Sequence, residues 1–186
     1  MNFPAGSRRI SSGPATAGRR SRGGIPVTTE SIDRPPRPEL REVAATMTAV
    51  VRGRVTQDQA VAFFDTSFGL LPRTLTAQEA VITGPALSRW GTASDGFTDL
   101  EVGFPVDRRI TPDGEVVPSD LPAGRIARVV HEGGFDSLDV TWDRLRSWIV
   151  EQGLTPADDR WEIYLTEPDP RMNPADLRTE LNWTVN

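Results

Sequence analysis

His131 is the only histidine of the chain, and cysteine and lysine are absent altogether. Disulfides, thiolate zinc sites, iron–sulfur ligation and cysteine nucleophiles are excluded together. Schiff-base chemistry and the lysine-bearing phosphate loop go with them. No Gly-x-Ser-x-Gly turn accompanies His131, so a serine–histidine–acid triad has no nucleophile, and a structural histidine at a strand end is the better reading. Asp136, Asp139 and Asp143 fall at helical spacing. A helix does not present the loop carbonyls that calcium sites use, so these acids read as a solvated helix face. No metal or organic cofactor is implied. The chemistry left is that of carboxylate, phenol and aromatic ring. In WEIYLTEP (161–168), Glu162 and the single tyrosine, Tyr164, share one side of a strand, with Trp161, Ile163 and Leu165 on the other. The acid and the phenol can therefore line one cavity, although most strand glutamates lie on a solvated face.

The elements that must position these groups read as strand, helix, strand, strand, twice over. A Val-, Thr- and Ala-rich run predicts a strand over 42–55. Thr56 and Gln59 form a capping box for a helix carrying Val61, Phe64, Phe68 and Leu71 on one stripe, with Pro72 as its stop. Strands follow at 80–90 and 97–106, split by a turn-rich stretch at 91–96, and a Pro-rich loop through Pro112, Pro118 and Pro122 divides the halves. The second half predicts a strand over 124–130 and a helix capped by Asp136 or Ser137, with Leu138, Trp142, Leu145 and Ile149 as its stripe and Gly153 as its left-handed end. Strands at 161–168 and 177–185 complete it, around a Pro-rich turn at 168–174. Glu101, Val102, Phe104 and Val106 recur as Glu180, Leu181, Trp183 and Val185 at a constant offset of 79. This is an α+β protein built of a duplicated βαββ module, with pseudo-repeats at about 41–108 and 124–185. An antiparallel sheet with two main helices results, and the groove between the halves is the natural ligand site.

Charge divides the chain differently. Residues 1–38 hold seven arginines and two acids, a net of +5, whereas residues 39–186 hold fourteen arginines and twenty-four acids, a net of −10. The first segment is rich in Gly, Pro, Ser and Thr and poor in large apolar residues, which predicts a disordered basic tail. Such a tail can touch phosphates weakly, and its composition is also that of a transit peptide; an inert tail is the plainer reading. The acidic body argues against specific nucleic-acid binding. No apolar run reaches the roughly 18 residues of a membrane span, so neither membrane nor export is expected and the cytoplasm is the expected location.

The body resembles the GyrI-like small-molecule-binding domain, the effector-binding domain of multidrug-responsive bacterial transcription activators, which is also found alone. The matching stretches are Gly84-Pro85 with Arg89-Trp90, then LEVGFPV, PAGRIARVVHEGGFDSL, RWEIYLTEPDP and LRTELNWTV, in the family's order over roughly 41–185. Gly134 and Thr184 stand where the family usually has proline. The resemblance implies a duplicated βαββ fold and a groove for amphipathic, cationic or aromatic molecules. It makes Glu162 the binding-site acid among rings. A carboxylate beside ring faces offers a flat cation both a counter-charge and a cation–π surface.

Around Glu162 the candidate wall residues are Tyr164, Trp90 at its strand end, Phe135 before the second helix, and Trp142 and Phe68 on the helix stripes. For the last two, core packing is the commoner reason for a ring. Residues 1–38 lack a helical period, so the expected role is a sensor or sequestering module with a small-molecule ligand and, as a second partner, a regulator protein. The alternative is a GyrI-like hydrolase that opens strained electrophilic rings, with Glu162 as general base and Tyr164 as hydrogen-bond donor. Inhibition of a topoisomerase by protein contact also occurs in the family, and no residue here marks a surface for it.

Overall fold

The computed structural model describes residues 36–167 and 171–186, with the backbone alone at 92–93. The expected basic tail lies outside the described residues except for 36–38, as does the start of the Pro-rich turn at 168–170. Eight strands and two main helices follow in order: β1 (Glu39–Val43), β2 (Thr46–Val55), α1 (Ala60–Ala77), β3 (Leu87–Ser94), β4 (Phe97–Pro105), β5 (Val116–Leu121), β6 (Gly124–Glu132), α2 (Leu138–Glu151), β7 (Pro156–Tyr164) and β8 (Arg178–Val185). They form one sheet in the order β1-β6-β8-β7-β3-β4-β2-β5, and every neighbouring pair is antiparallel. The α+β architecture expected from the sequence is the architecture found.

The repeat carries one strand more than the sequence reading allowed. The single strand expected over 42–55 is two strands bent at Ala44-Ala45, and the loop expected between the halves contains β5, which bends into β6 at Pro122-Ala123. Each repeat is therefore ββαββ. Its leading strand pairs with the other repeat: Arg41 of β1 lies opposite Ile126 of β6, and Ser119 of β5 opposite Thr48 of β2. β5 was hidden because VVPSDL carries a proline and two polar residues, which read as loop; as an edge strand it tolerates Pro118. β3 is likewise shifted, running from Leu87 to Ser94 rather than 80–90. The turn-rich stretch shrinks to Asp95-Gly96, both at positive φ, the two-residue hairpin geometry that lets strands run right up to the turn. β7 begins at Pro156, ahead of the expected 161.

Helix α1 does not stop at Pro72 but continues through it to Ala77. Leu71 and Leu75, either side of the proline, are completely buried against Ala49, Val51 and Val116. Thr74 donates to Asp113, and the Gln78 side chain accepts from the Thr111 amide and donates to its carbonyl. Tertiary packing thus outweighs the backbone bond that proline forfeits. At the start of this segment Thr56 and Gln59 form the expected capping box, with Gln59 accepting from the Thr56 amide at 3.1 Å, and the Thr56 hydroxyl also donates to Asp58.

Both helices cover one face of the sheet. Leu145 and Ile149 of α2 pack on Ala127, Val129 and Leu181, as α1 packs on Ala49 and Val51. Under the two bends, the opposite face holds its own apolar cluster of Leu87, Leu121, Ile126 and Trp161.

Gly103 lies where β4 passes closest to β2: an added Cβ would meet the Ala49 carbonyl oxygen and the Val50 backbone. Gly103→Ala is expected to lower unfolding free energy by more than about 2 kcal/mol in a urea titration. Gly69, in α1 with open space around it, gives the opposite sign: Gly69→Ala is expected to stabilise by about 0.5–1 kcal/mol.

Candidate functional site

The two repeats meet at the centre of the sheet, where β3 pairs with β7 and Ser88 lies directly opposite Glu162. Leu87 pairs with Ile163 and Arg89 with Trp161, so the register is symmetric about the Ser88–Glu162 pair. Residues two apart on a strand share a face. Ser88 and Trp90 on β3, and Arg160, Glu162 and Tyr164 on β7, accordingly all stand on the helix-covered face.

Glu162 is buried, with 4 % of its surface exposed. Its Oε1 accepts from Trp142 Nε1 at 3.2 Å, and its Oε2 accepts from the Tyr164 hydroxyl at 2.8 Å and from Ser88 Oγ at 3.3 Å. Trp90 Nε1 donates to Ser88 Oγ at 2.9 Å, and that oxygen lies 2.7 Å from the Tyr164 oxygen. Neutral donors therefore converge on the acid from Trp142, Tyr164 and Ser88, the last accepting in turn from Trp90. Among the described residues no cation pairs with Glu162. Burial, and then the neighbouring Glu162 charge, push the Tyr164 phenol well above its ordinary pKa. Tyr164 is held as a proton donor.

Rings surround this centre. Phe64 of α1 lies 6.0 Å from Tyr164, 6.4 Å from Trp90 and 6.1 Å from Phe68, centroid to centroid. Phe68 meets Phe104 at 5.5 Å, and Trp142 meets Trp183 edge-on at the same distance. Phe135, on a 3-10 turn (Phe135–Ser137) before α2, meets the Tyr164 ring in a T-shaped contact with centroids 5.8 Å apart and is exposed. All six residues singled out from the sequence are thus on one face: Glu162, Tyr164, Trp142 and Trp90 belong to the bonded cluster, Phe135 is its outer rim, and Phe68 stands one ring back, behind Phe64. Phe68 contacts Phe104 and packs against the apolar clusters beneath α1.

Four members escaped the sequence reading. Ser88 carried no signal, because its meaning comes from the register that sets it opposite Glu162. Phe64 was visible on the α1 stripe. Trp183 was visible only as a repeat match, and Arg160 only as the residue two before Glu162 on its strand. His131 is buried on β6, with Nδ1 accepting from Thr141 Oγ1 at 2.8 Å and Nε2–H donating to the Gly134 carbonyl at 3.0 Å. It ties α2 and the turn bearing Phe135 to the sheet. A separate cavity of about 110 Å³ lies on the opposite face against Ile126, Arg128, Trp161 and Asn182, and none of the six residues lines it.

The family model described as GyrI-like small molecule binding domain matches residues 36–185. Among curated proteins no sequence matches the chain. Among solved structures, the C-terminal domain of EcmrR superposes with a TM-score of 0.70 at 18% identity, over 81% of this chain and 98% of that one. The structure of SAV2435 bound to tetraphenylphosphonium gives 0.60 at 11% identity, over 81% and 94%. A hydrolase encoded by lin2189 from Listeria innocua gives 0.55 at 15% identity, over 82% and 93%. At these identities the likeness is one of fold. No helix among the described residues is long and apolar enough to cross a membrane.

Because Tyr164 is the chain's single tyrosine, near-ultraviolet phenolate absorbance reports on it alone. Its folded pKa is raised, so the associated stabilisation is complete below about pH 10 and is lost as pH rises beyond that value. The native protein is expected to show no phenolate at a pH where free tyrosine is half ionised. Glu162→Gln, which removes the second cause of the shift, should lower the midpoint while the fold persists.

Proposed function

We propose, for a chain that belongs to the GyrI-like small-molecule-binding family, that it binds a flat or globular aromatic cation whose charge is met by Glu162. In this reading the ligand enters beside Phe135, displaces that ring from Tyr164, and lies against Trp142, Trp90 and Phe64. The observation carrying the reading is Glu162 itself: a buried carboxylate amid rings whose hydrogen-bond partners are all neutral. Neutral donors satisfy the oxygens but leave the net charge uncompensated, and a cation in a poorly hydrated site compensates it. Trp and Tyr faces supply the cation–π surface. The likeness to SAV2435, whose structure holds tetraphenylphosphonium, is in keeping with such a ligand. The chain then acts as a sensor or sequestering module that returns its ligand unchanged.

Tryptophan fluorescence during titration with tetraphenylphosphonium, with the ligand's mass followed in parallel, tests this reading. Saturable quenching at constant mass is expected. Glu162→Gln should weaken the cation by about 2 kcal/mol, roughly thirtyfold, and leave binding of neutral triphenylphosphine oxide within a few-fold. Equal affinities of wild type and E162Q for the cation would overturn the reading. Turnover of an electrophilic ring compound that is lost in E162Q would instead make the protein a hydrolase.

A further inference from the structure

Arg160 stands on the helix-covered face of β7, two residues before Glu162, with Trp90 and Trp183 as its cross-strand neighbours. Its guanidinium carbon lies 5.5 Å from the Trp142 ring centroid and 5.6 Å from that of Trp183, so the group lies against two tryptophans that are themselves in edge contact. Trp142 is also the residue whose indole N–H reaches Glu162. Guanidinium, indole and carboxylate are therefore contiguous, with the two charged residues about 7 Å apart along the strand.

The arginines nearby are spent differently. Arg52, Arg89, Arg128 and Arg178 each meet a carboxylate, and Asp159, the acid next to Arg160 in sequence, is engaged by Arg89. Among the described residues Arg160 has neither an ion pair nor a hydrogen bond. No hydrogen bond or ion pair among the described residues uses its N–H fork, the part that matches a carboxylate bidentately. Among the described residues no cation lies over the corresponding ring pair of the first repeat, Phe68 and Phe104. The guanidinium is a property of the second repeat, where the acid and the indoles also lie.

We infer that Arg160 is a second recognition group of the same site and that the preferred ligand is amphoteric: an aromatic cation whose positive end faces Glu162 and which carries a carboxylate, or a comparably charged acceptor, for the Arg160 fork. This rests on the binding role given to Glu162 above. Arg160 discriminates by attraction and repulsion together, since a purely cationic ligand meets an uncompensated like charge about one residue pair from its counter-ion, whereas a dipolar one finds both its ends answered.

Rhodamine 110, a xanthylium cation with a free carboxylate, and its methyl ester rhodamine 123 differ at this one group and are suitable probes by fluorescence anisotropy. The wild-type protein is expected to bind the free carboxylate about tenfold more tightly than the ester. In Arg160→Met this preference should fall to within about twofold, while tetraphenylphosphonium, met by Glu162, still binds at least as tightly as in the wild type, showing that the site is intact. Arg160→Gln is the second variant should methionine unsettle the packing of Trp142 and Trp183. An acid-to-ester ratio unchanged in both variants, or a wild type that prefers the ester, overturns the inference. Failure of both rhodamines with tetraphenylphosphonium still bound also overturns it and leaves the cation reading standing. Failure of all three probes on the wild type overturns both.

Discussion

The structure is organised around one costly choice, a carboxylate buried at the seam between two repeats. β3 and β7 are the strands through which the halves join in mid-sheet, and Ser88 opposite Glu162 is the midpoint of their register. An ionisable side chain sequestered there has to be met by donors from both halves and from a helix. Ser88 comes from the first repeat, Tyr164 from the second, and Trp142 descends from α2. The positions of α2, of β3 and of the β3–β7 register are therefore mutually dependent. A slip of one residue in that pairing would turn Glu162 to the other face and put Trp161 or Ile163 in its place.

Duplication supplies the frame, and divergence supplies the chemistry. Corresponding positions in the two repeats pair Ser88 with Glu162, Trp90 with Tyr164, Phe68 with Trp142 and Phe104 with Trp183. In the first repeat these are a hydroxyl, an indole and two hydrocarbon rings; in the second they are an acid, a phenol and two indoles. The exchange of leading strands, β1 onto β6 and β5 onto β2, locks the halves together at both edges. The seam between them can thus hold a buried carboxylate without being the only thing that joins them. The cost of burying Glu162 is local, while apolar packing of α1 and α2 on either side is carried by separate clusters.

Much of this was legible from residue types. Strand alternation placed Glu162 and Tyr164 on one side, helical spacing put Phe68 and Trp142 on inward stripes, and the recurrence of Glu101-Val102-x-Phe104 as Glu180-Leu181-x-Trp183 announced the duplication. The misreadings share a physical origin. Pro72 reads as a stop because proline loses a backbone bond, yet Leu71 and Leu75 bury enough surface to hold the helix through it. VVPSDL reads as a loop because its strand character depends on β2 as a partner. Ser88 reads as nothing at all, since a serine gains meaning only from what it faces.

Local rules work on neighbours in sequence, whose relative placement follows from backbone geometry within a few residues. They sufficed for the α+β duplication and for the shared side of acid and phenol. Contacts across strands and between strand and helix obey no such rule, because they join segments some twenty to seventy residues apart. That is why Ser88 as the partner of Glu162, Trp142 as its indole donor, and Arg160 against Trp142 and Trp183 with no ion pair among the described residues emerge only when the chain is folded.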